Sequence, residues 1–130
     1  GYIALVGSIA GEFVSSSQPA SYHVAKAGMN QLMRYYATTL GPRGIRVNAV
    51  SPSAFIKEES REYYEGNEAL MDLYKKTTPL GRMCTSEDIA SVVEFLCGPG
   101  ASFVTGQNIY VDGGVSLVSQ EAMARSLTSI

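Results

Sequence analysis

The chain opens on an unbroken apolar run. Residues 2–7 (Tyr2-Ile3-Ala4-Leu5-Val6-Gly7) lack polar alternation, which predicts a strand covered on both faces of a sheet. Ser8-Ile9-Ala10-Gly11 breaks the run, and the Ser-rich stretch through Gln18-Pro19-Ala20 reads as a loop. Ser21 is a candidate N-cap for a long helix. In that helix Ala25, Met29, Leu32, Met33, Tyr36 and Leu40 recur at steps of three and four, predicting a broad apolar face. Gly41-Pro42 ends it. Ile45 to Val50 is a second strand, closed by Ser51-Pro52. Residues 53–80 hold no strong strand, and Glu58 to Lys76 predicts helix in one or two pieces around Gly66. Thr85-Ser86-Glu87-Asp88 reads as a capping box, with two acids placed against the helix dipole. The helix after it puts Ile89, Val92, Val93 and Leu96 on one face and stops at Gly98-Pro99-Gly100. Ile109-Tyr110-Val111 is a third short strand, ending at Asp112-Gly113-Gly114. A final helix is predicted around Glu121 to Arg125.

Strands alternating with long helices predict an α/β fold on a parallel sheet, with each crossover right-handed. Three strands make a small sheet, and nothing in the chain pairs with the outer edge of residues 2–7. The chain therefore reads as starting in the middle of a larger fold.

Composition narrows the function without naming it. At 130 residues the chain is the size of one domain with one core, spanning 1–130. A net charge of -2 and a pI near 5.3 leave no basic footprint for nucleic acid. No apolar run reaches the roughly 18 residues that a membrane span requires, and no signal-peptide pattern precedes Tyr2. Cys84 and Cys97 lack metal-ligand spacing and have no His nearby, so no metal site is expected. Cys97 reads as a small buried apolar residue, and a reducing, cytoplasmic setting is expected.

The candidate chemistry lies at the start of the long helix, in Tyr22-His23-Val24-Ala25-Lys26. Four residues are about one helical turn, so Tyr22 and Lys26 project from one face. Positive charge beside a phenol favours the phenolate, which makes such a pair a proton donor and acceptor near neutral pH. Taken alone, the pair also fits a helix surface, and Ser8 also fits an ordinary turn. His23 falls on a different helical face and reads as a packing or surface residue.

Six segments in order resemble the C-terminal half of a classical short-chain dehydrogenase/reductase. They are V-G-S-I-A-G at 6–11, Y-H-V-A-K at 22–26, G-I-R-V-N-A-V-S-P at 44–52, P-L-G-R at 79–82, S-E-D-I-A at 86–90 and T-G-Q-N-I-Y-V-D-G-G at 105–114. The resemblance implies the C-terminal half of a Rossmann-type doubly wound parallel sheet: three strands with crossover helices, without the N-terminal nucleotide-binding half. It implies an NAD(P)-dependent oxidoreductase interconverting a ketone and a secondary alcohol by hydride transfer. In it Tyr22 matches the catalytic acid/base. Lys26 matches the Lys that supports the Tyr and binds the nicotinamide ribose, and Ser8 the Ser that holds the substrate oxygen. Pro52 matches the Pro beside the nicotinamide. Ser53, Phe55 and Ile56 follow it in the segment that would contact the carboxamide. The implied cofactor is NAD or NADP. The implied partners are a small carbonyl or alcohol substrate and further copies of the chain, as a homotetramer or homodimer. Residues 54–78 would form a substrate lid, with Tyr63 and Tyr64 lining or covering it.

The sequence also departs from the family pattern. No G-x-x-x-G-x-G occurs in the 130 residues. The segment from Ser8 to Tyr22 is one residue longer than in most relatives. Ser53 stands where a Gly is usual, and Lys57 where a Thr is usual. These departures raise a second expectation, a truncated or non-catalytic module acting in assembly or binding.

Overall fold

A computed structural model describes the whole chain, residues 1–130. Strand β1 (Tyr2–Val6) leads through a 3-10 turn at Ile9–Gly11 and a loop into helix α1 (Ala20–Leu40). Strand β2 (Arg46–Pro52) is followed by β3 (Phe55–Ile56), by the short helices α2 (Arg61–Glu65) and α3 (Glu68–Thr77), and by β4 (Cys84–Thr85). Helix α4 (Ser86–Cys97), strand β5 (Asn108–Val111) and helix α5 (Gln120–Thr128) complete the chain.

The main sheet has the order β1-β2-β5 and is parallel throughout, with Tyr2 opposite Arg46 and Ala49 opposite Asn108. Pro52 ends β2 opposite Val111, where a missing backbone donor is tolerated. The two faces of β2 are buried by different helices. Val47 and Ala49 pack with Met33 and Ala37 of α1. Val50 packs with Ile89 and Leu96 of α4, flanked by Ile109 and Val111. Successive strand residues point to opposite faces, so α1 and α4 sandwich the sheet, as a doubly wound fold requires.

That arrangement corrects the expectation of two right-handed crossovers. The chain steps in one direction across the sheet, from β1 to β2 to β5, between parallel strands. Crossovers of one hand would place both helices on one face. They lie on opposite faces, so the two connections have opposite hands. The usual bias acts through a helix packed directly back onto a twisted sheet. The connection from β2 instead detours through β3, α2, α3 and β4 before α4 begins.

Other expectations are also adjusted. Residues 53–80 hold no strong strand, as expected, but the short β3 there pairs in parallel with β4. Two residues are too few to leave a periodic signal. Helix α1 is capped at Pro19, not Ser21, because the Pro19 carbonyl accepts the Tyr22 amide at 3.1 Å. The face of α1 that meets the sheet is Asn30, Met33 and Ala37. Ala25, Leu32 and Tyr36 are exposed, so the apolar positions read as one face wrap around to a second, outward surface. Cys97 is only half-buried. Cys84 is the buried cysteine, and burial pushes its thiol up to about 11. Strand β1 is not covered on both faces: Tyr2 is 57% exposed, Ile3 41% and Val6 47%. Helix breaks at Gly66 and the capping box of Thr85 and Asp88 are as expected.

Candidate active site

The C-terminal end of β1 and the start of α1 meet at one corner of the sheet. The ladder extends past Val6, where the Gly7 amide donates to the Val50 carbonyl at 2.7 Å. Ser8 then caps the 3-10 turn, its Oγ accepting the Ala10 amide at 3.1 Å. A hydroxyl that accepts through its oxygen keeps its own proton free to donate. Ser8 is half-buried, so that proton can reach a ligand.

Tyr22 and Lys26 sit one turn apart on α1, both half-buried. The Lys26 ammonium lies 5.6 Å from the centre of the Tyr22 ring, within cation–π range. It also donates to the Val6 carbonyl at 3.5 Å, two residues before Ser8. One cation thus ties the end of β1 to the phenol. Tyr110 shares this side of the sheet, since it stands opposite Ser51. Its hydroxyl is buried without a hydrogen-bond partner, and burial, reinforced by Glu12, pushes it up to about 12. Of the two phenols, only Tyr22 has a cation over its ring.

His23 uses both ring nitrogens on backbone. Its Nε2 accepts the Ser15 amide at 3.0 Å, and its Nδ1 lies 3.0 Å from the Pro19 carbonyl. The ring must therefore carry its proton on Nδ1. His23 is a packing residue, as expected, and it staples the loop that joins Ser8 to Tyr22.

The residues after Pro52 are divided. Pro52 is buried and Ser53 half-buried at the strand end. Phe55 is half-buried, with the Lys57 ammonium 5.8 Å from its ring centre. Ile56 is buried, and its carbonyl accepts the Ser86 hydroxyl at 3.0 Å. That carbonyl is committed to the protein, leaving the loop around Ser53 and Ala54 the freer surface. Tyr63 is exposed and Tyr64 half-buried, their rings edge to face with centres 5.3 Å apart. Arg61 links this lid segment to α4, bonding Glu58, Glu65 and Glu87.

The larger concavities lie elsewhere. One of about 580 Å³ is lined by Arg82, Asp88, Tyr110 and Gly113, and one of about 710 Å³ at the other end of the sheet by Arg46, Cys97 and Phe103. Neither contains Ser8, Tyr22 or Lys26. No group of His, Cys, Asp and Glu in the chain is arranged to hold a metal. No helix is long and apolar enough to cross a membrane. The residue that sequence reasoning overlooked is Asn30, buried one turn beyond Lys26. Its polarity within an apolar stripe was the available signal.

Most of the chain is similar to known proteins. A family model described as enoyl-(acyl carrier protein) reductase matches residues 1–116. A tropinone reductase homologue of Arabidopsis thaliana is 39% identical over 117 residues, which cover 90% of this chain and 43% of that protein. The solved structure of 4-hydroxyisoleucine dehydrogenase complexed with NADH superposes with a TM-score of 0.81 at 32% identity, covering 92% of this chain and 48% of that one. A gluconate 5-dehydrogenase from Burkholderia cenocepacia, in complex with NADP and tartrate, gives 0.78 at 27% identity, covering 92% and 46%. The chain spans less than half the length of each of these relatives.

Proposed function

The chain belongs to the short-chain dehydrogenase/reductase family, and we propose that it carries the catalytic half of an NAD(P)-dependent oxidoreductase interconverting a ketone and a secondary alcohol. The observation that carries this reading is the Lys26 ammonium held between the Tyr22 ring and the end of β1, beside a Ser8 hydroxyl with a free proton. The solved relatives bound to NADH and to NADP support a nicotinamide cofactor.

The residues present fit the nicotinamide end of such a cofactor. Lys26 supplies a cation beside the phenol, and Pro52 and Ser53 bring a strand end with an accessible loop to the same end of the sheet. No glycine-rich phosphate cradle occurs in the 130 residues, so the pyrophosphate would be held by chain outside them. When bound, the nicotinamide supplies or accepts the hydride. Ser8 then donates its hydroxyl proton in a hydrogen bond to the substrate oxygen, where negative charge develops on reduction. Tyr22 gives its proton to that oxygen in the reductive direction and takes one back in the oxidative direction. Lys26 stabilises the phenolate that Tyr22 becomes.

The outward apolar residues of α1, including Val24, Leu32 and Tyr35, support self-association as a homodimer or homotetramer. The two free thiols support a cytoplasmic setting. The test is cofactor binding and turnover by a full-length protein containing this chain. Cofactor-dependent turnover that is lost in Tyr22→Phe upholds the reading. A full-length protein that binds no dinucleotide and turns over no carbonyl substrate would replace it with a non-catalytic assembly module.

A further inference from the structure

Helix α1 buries three residues against the sheet, and one of them is out of character. Met33 and Ala37 join Val47 and Ala49 in an apolar cluster. Asn30 is polar and 3% exposed, and its Oδ1 is buried without a hydrogen-bond partner. Such a group costs stability, and Leu has nearly the same branched shape without that cost. Asn30 continues the stripe of Tyr22 and Lys26 at steps of four residues, so all three share one helical face.

The Asn30 amide lies under the turn that carries Ser8. Gly7 and Gly11 bracket that turn, and neither has a positive φ, so each is required for space and not for conformation. A Cβ on Gly11 would sit 2.7 Å from Asn30 Nδ2 and 3.2 Å from the Lys26 carbonyl oxygen. A Cβ on Gly7 would sit 3.0 Å from Ser51 Oγ and 3.6 Å from Asn30 Oδ1. The turn is seated directly on this side chain, and its height above the helix sets where Ser8 stands relative to Tyr22 and Lys26.

We propose that Asn30 is a positioning residue: through its close approach to Gly11 it sets the separation between the Ser8 turn and the Tyr22–Lys26 face of α1. The inference rests on the catalytic reading of those three residues. A small displacement of a group that must meet a substrate oxygen is expensive in rate, which accounts for a polar side chain kept where an apolar one would stabilise the helix more.

The test is a double-mutant cycle in the full-length protein, reading kcat, KM, cofactor Kd and Tm. Gly11→Ala should lower kcat by about 10- to 100-fold, the range expected when a reacting group is misplaced by a fraction of the way to 1 Å, with cofactor Kd unchanged. Adding Asn30→Ser, which removes the amide that the new methyl meets but leaves the Lys26 carbonyl, should restore part of that loss, so that the two effects are less than additive. Asn30→Leu alone should lower kcat by about tenfold while Tm holds or rises. Additive effects in the cycle, or an Asn30→Leu protein with wild-type kcat, would overturn the proposal, as would a kcat loss that merely follows Tm. If Gly11→Ala does not fold, Asn30→Leu decides by itself. A wild-type protein with no turnover sinks the proposed function and this inference together. An active wild type with silent Asn30 and Gly11 variants sinks this inference only.

Discussion

Lys26 holds its ammonium 5.6 Å from the ring centre of Tyr22, one helical turn earlier, and at the same time reaches the carbonyl of Val6 at 3.5 Å. The contact joins two elements that meet only through the fold. It makes the positive charge a fixed feature of the corner where Ser8, Tyr22 and the end of β1 converge.

Tyr22→Phe keeps the ring and deletes the proton. In the full-length protein it should lower kcat by about 10²- to 10⁴-fold, the usual contribution of a general acid or base. Cofactor Kd should be unchanged. Lys26→Met removes the cation and should weaken cofactor binding as well as turnover. Steady-state kinetics with fluorescence titration of the reduced cofactor separates the two. Equal losses in both variants would remove the distinction drawn between their roles.

Ser8→Ala should cost about 10²- to 10³-fold in kcat, as for loss of one hydrogen bond to a developing oxyanion. The turn should persist, because the Gly11 and Glu12 amides still donate to the Ser8 and Ile9 carbonyls at 3.0 Å. A circular-dichroism melt that matches wild type, with turnover lost, is the expected pair of results.

His23→Ala removes both bonds that the imidazole makes to the loop. The Ser15 amide, which donates to His23 Nε2, should then exchange with solvent much faster, because local opening no longer breaks a bond. Hydrogen-exchange mass spectrometry over residues 12–19 reads this directly. Unchanged protection would mean that the loop is held by something other than His23.

The start of α4 predicts a pH dependence. Arg82 donates to Asp88 through both terminal guanidinium nitrogens at 2.6 and 3.0 Å, and Asp88 also accepts the Thr85 amide at 2.9 Å. The Arg82 bond first, then those from Thr85, hold the Asp88 carboxyl well below the usual carboxylate range. A carboxyl depressed in the folded state stabilises the fold above its unfolded value of about 4. That contribution is lost as pH falls below about 4 towards the folded value. Asp88→Asn should therefore flatten the acid limb of a stability–pH profile measured by urea midpoint. Thr85→Ala, which deletes the N-cap, should cost about 1 kcal/mol at neutral pH.

The exposed edge of β1 predicts behaviour in solution. β1 is an edge strand of the sheet, with Tyr2, Ile3 and Val6 exposed, the arrangement that invites edge-to-edge association. The 130-residue chain expressed without further sequence should be aggregated or melt without cooperativity. A monomeric sample with a sharp thermal transition would contradict this.

The sequence by itself determined the alternation of strands and helices, the capping box at Thr85, the break at Gly66 and the one-turn spacing of Tyr22 and Lys26. All of these depend on residues close together in the chain, where periodicity, capping and fixed spacing operate. Tertiary structure decided the rest. The pairing of Phe55–Ile56 with Cys84–Thr85 joins two-residue strands that have no pattern of their own. The opposite hands of the two crossovers follow from which face of β2 each helix covers. The true buried stripe of α1, with Asn30 in it, follows from where the sheet lies, because a helix with apolar residues on two sides does not announce which side is packed. Contacts between distant segments carry no local signal, so the seating of the Ser8 turn on Asn30 becomes visible only when β1 and α1 are brought together.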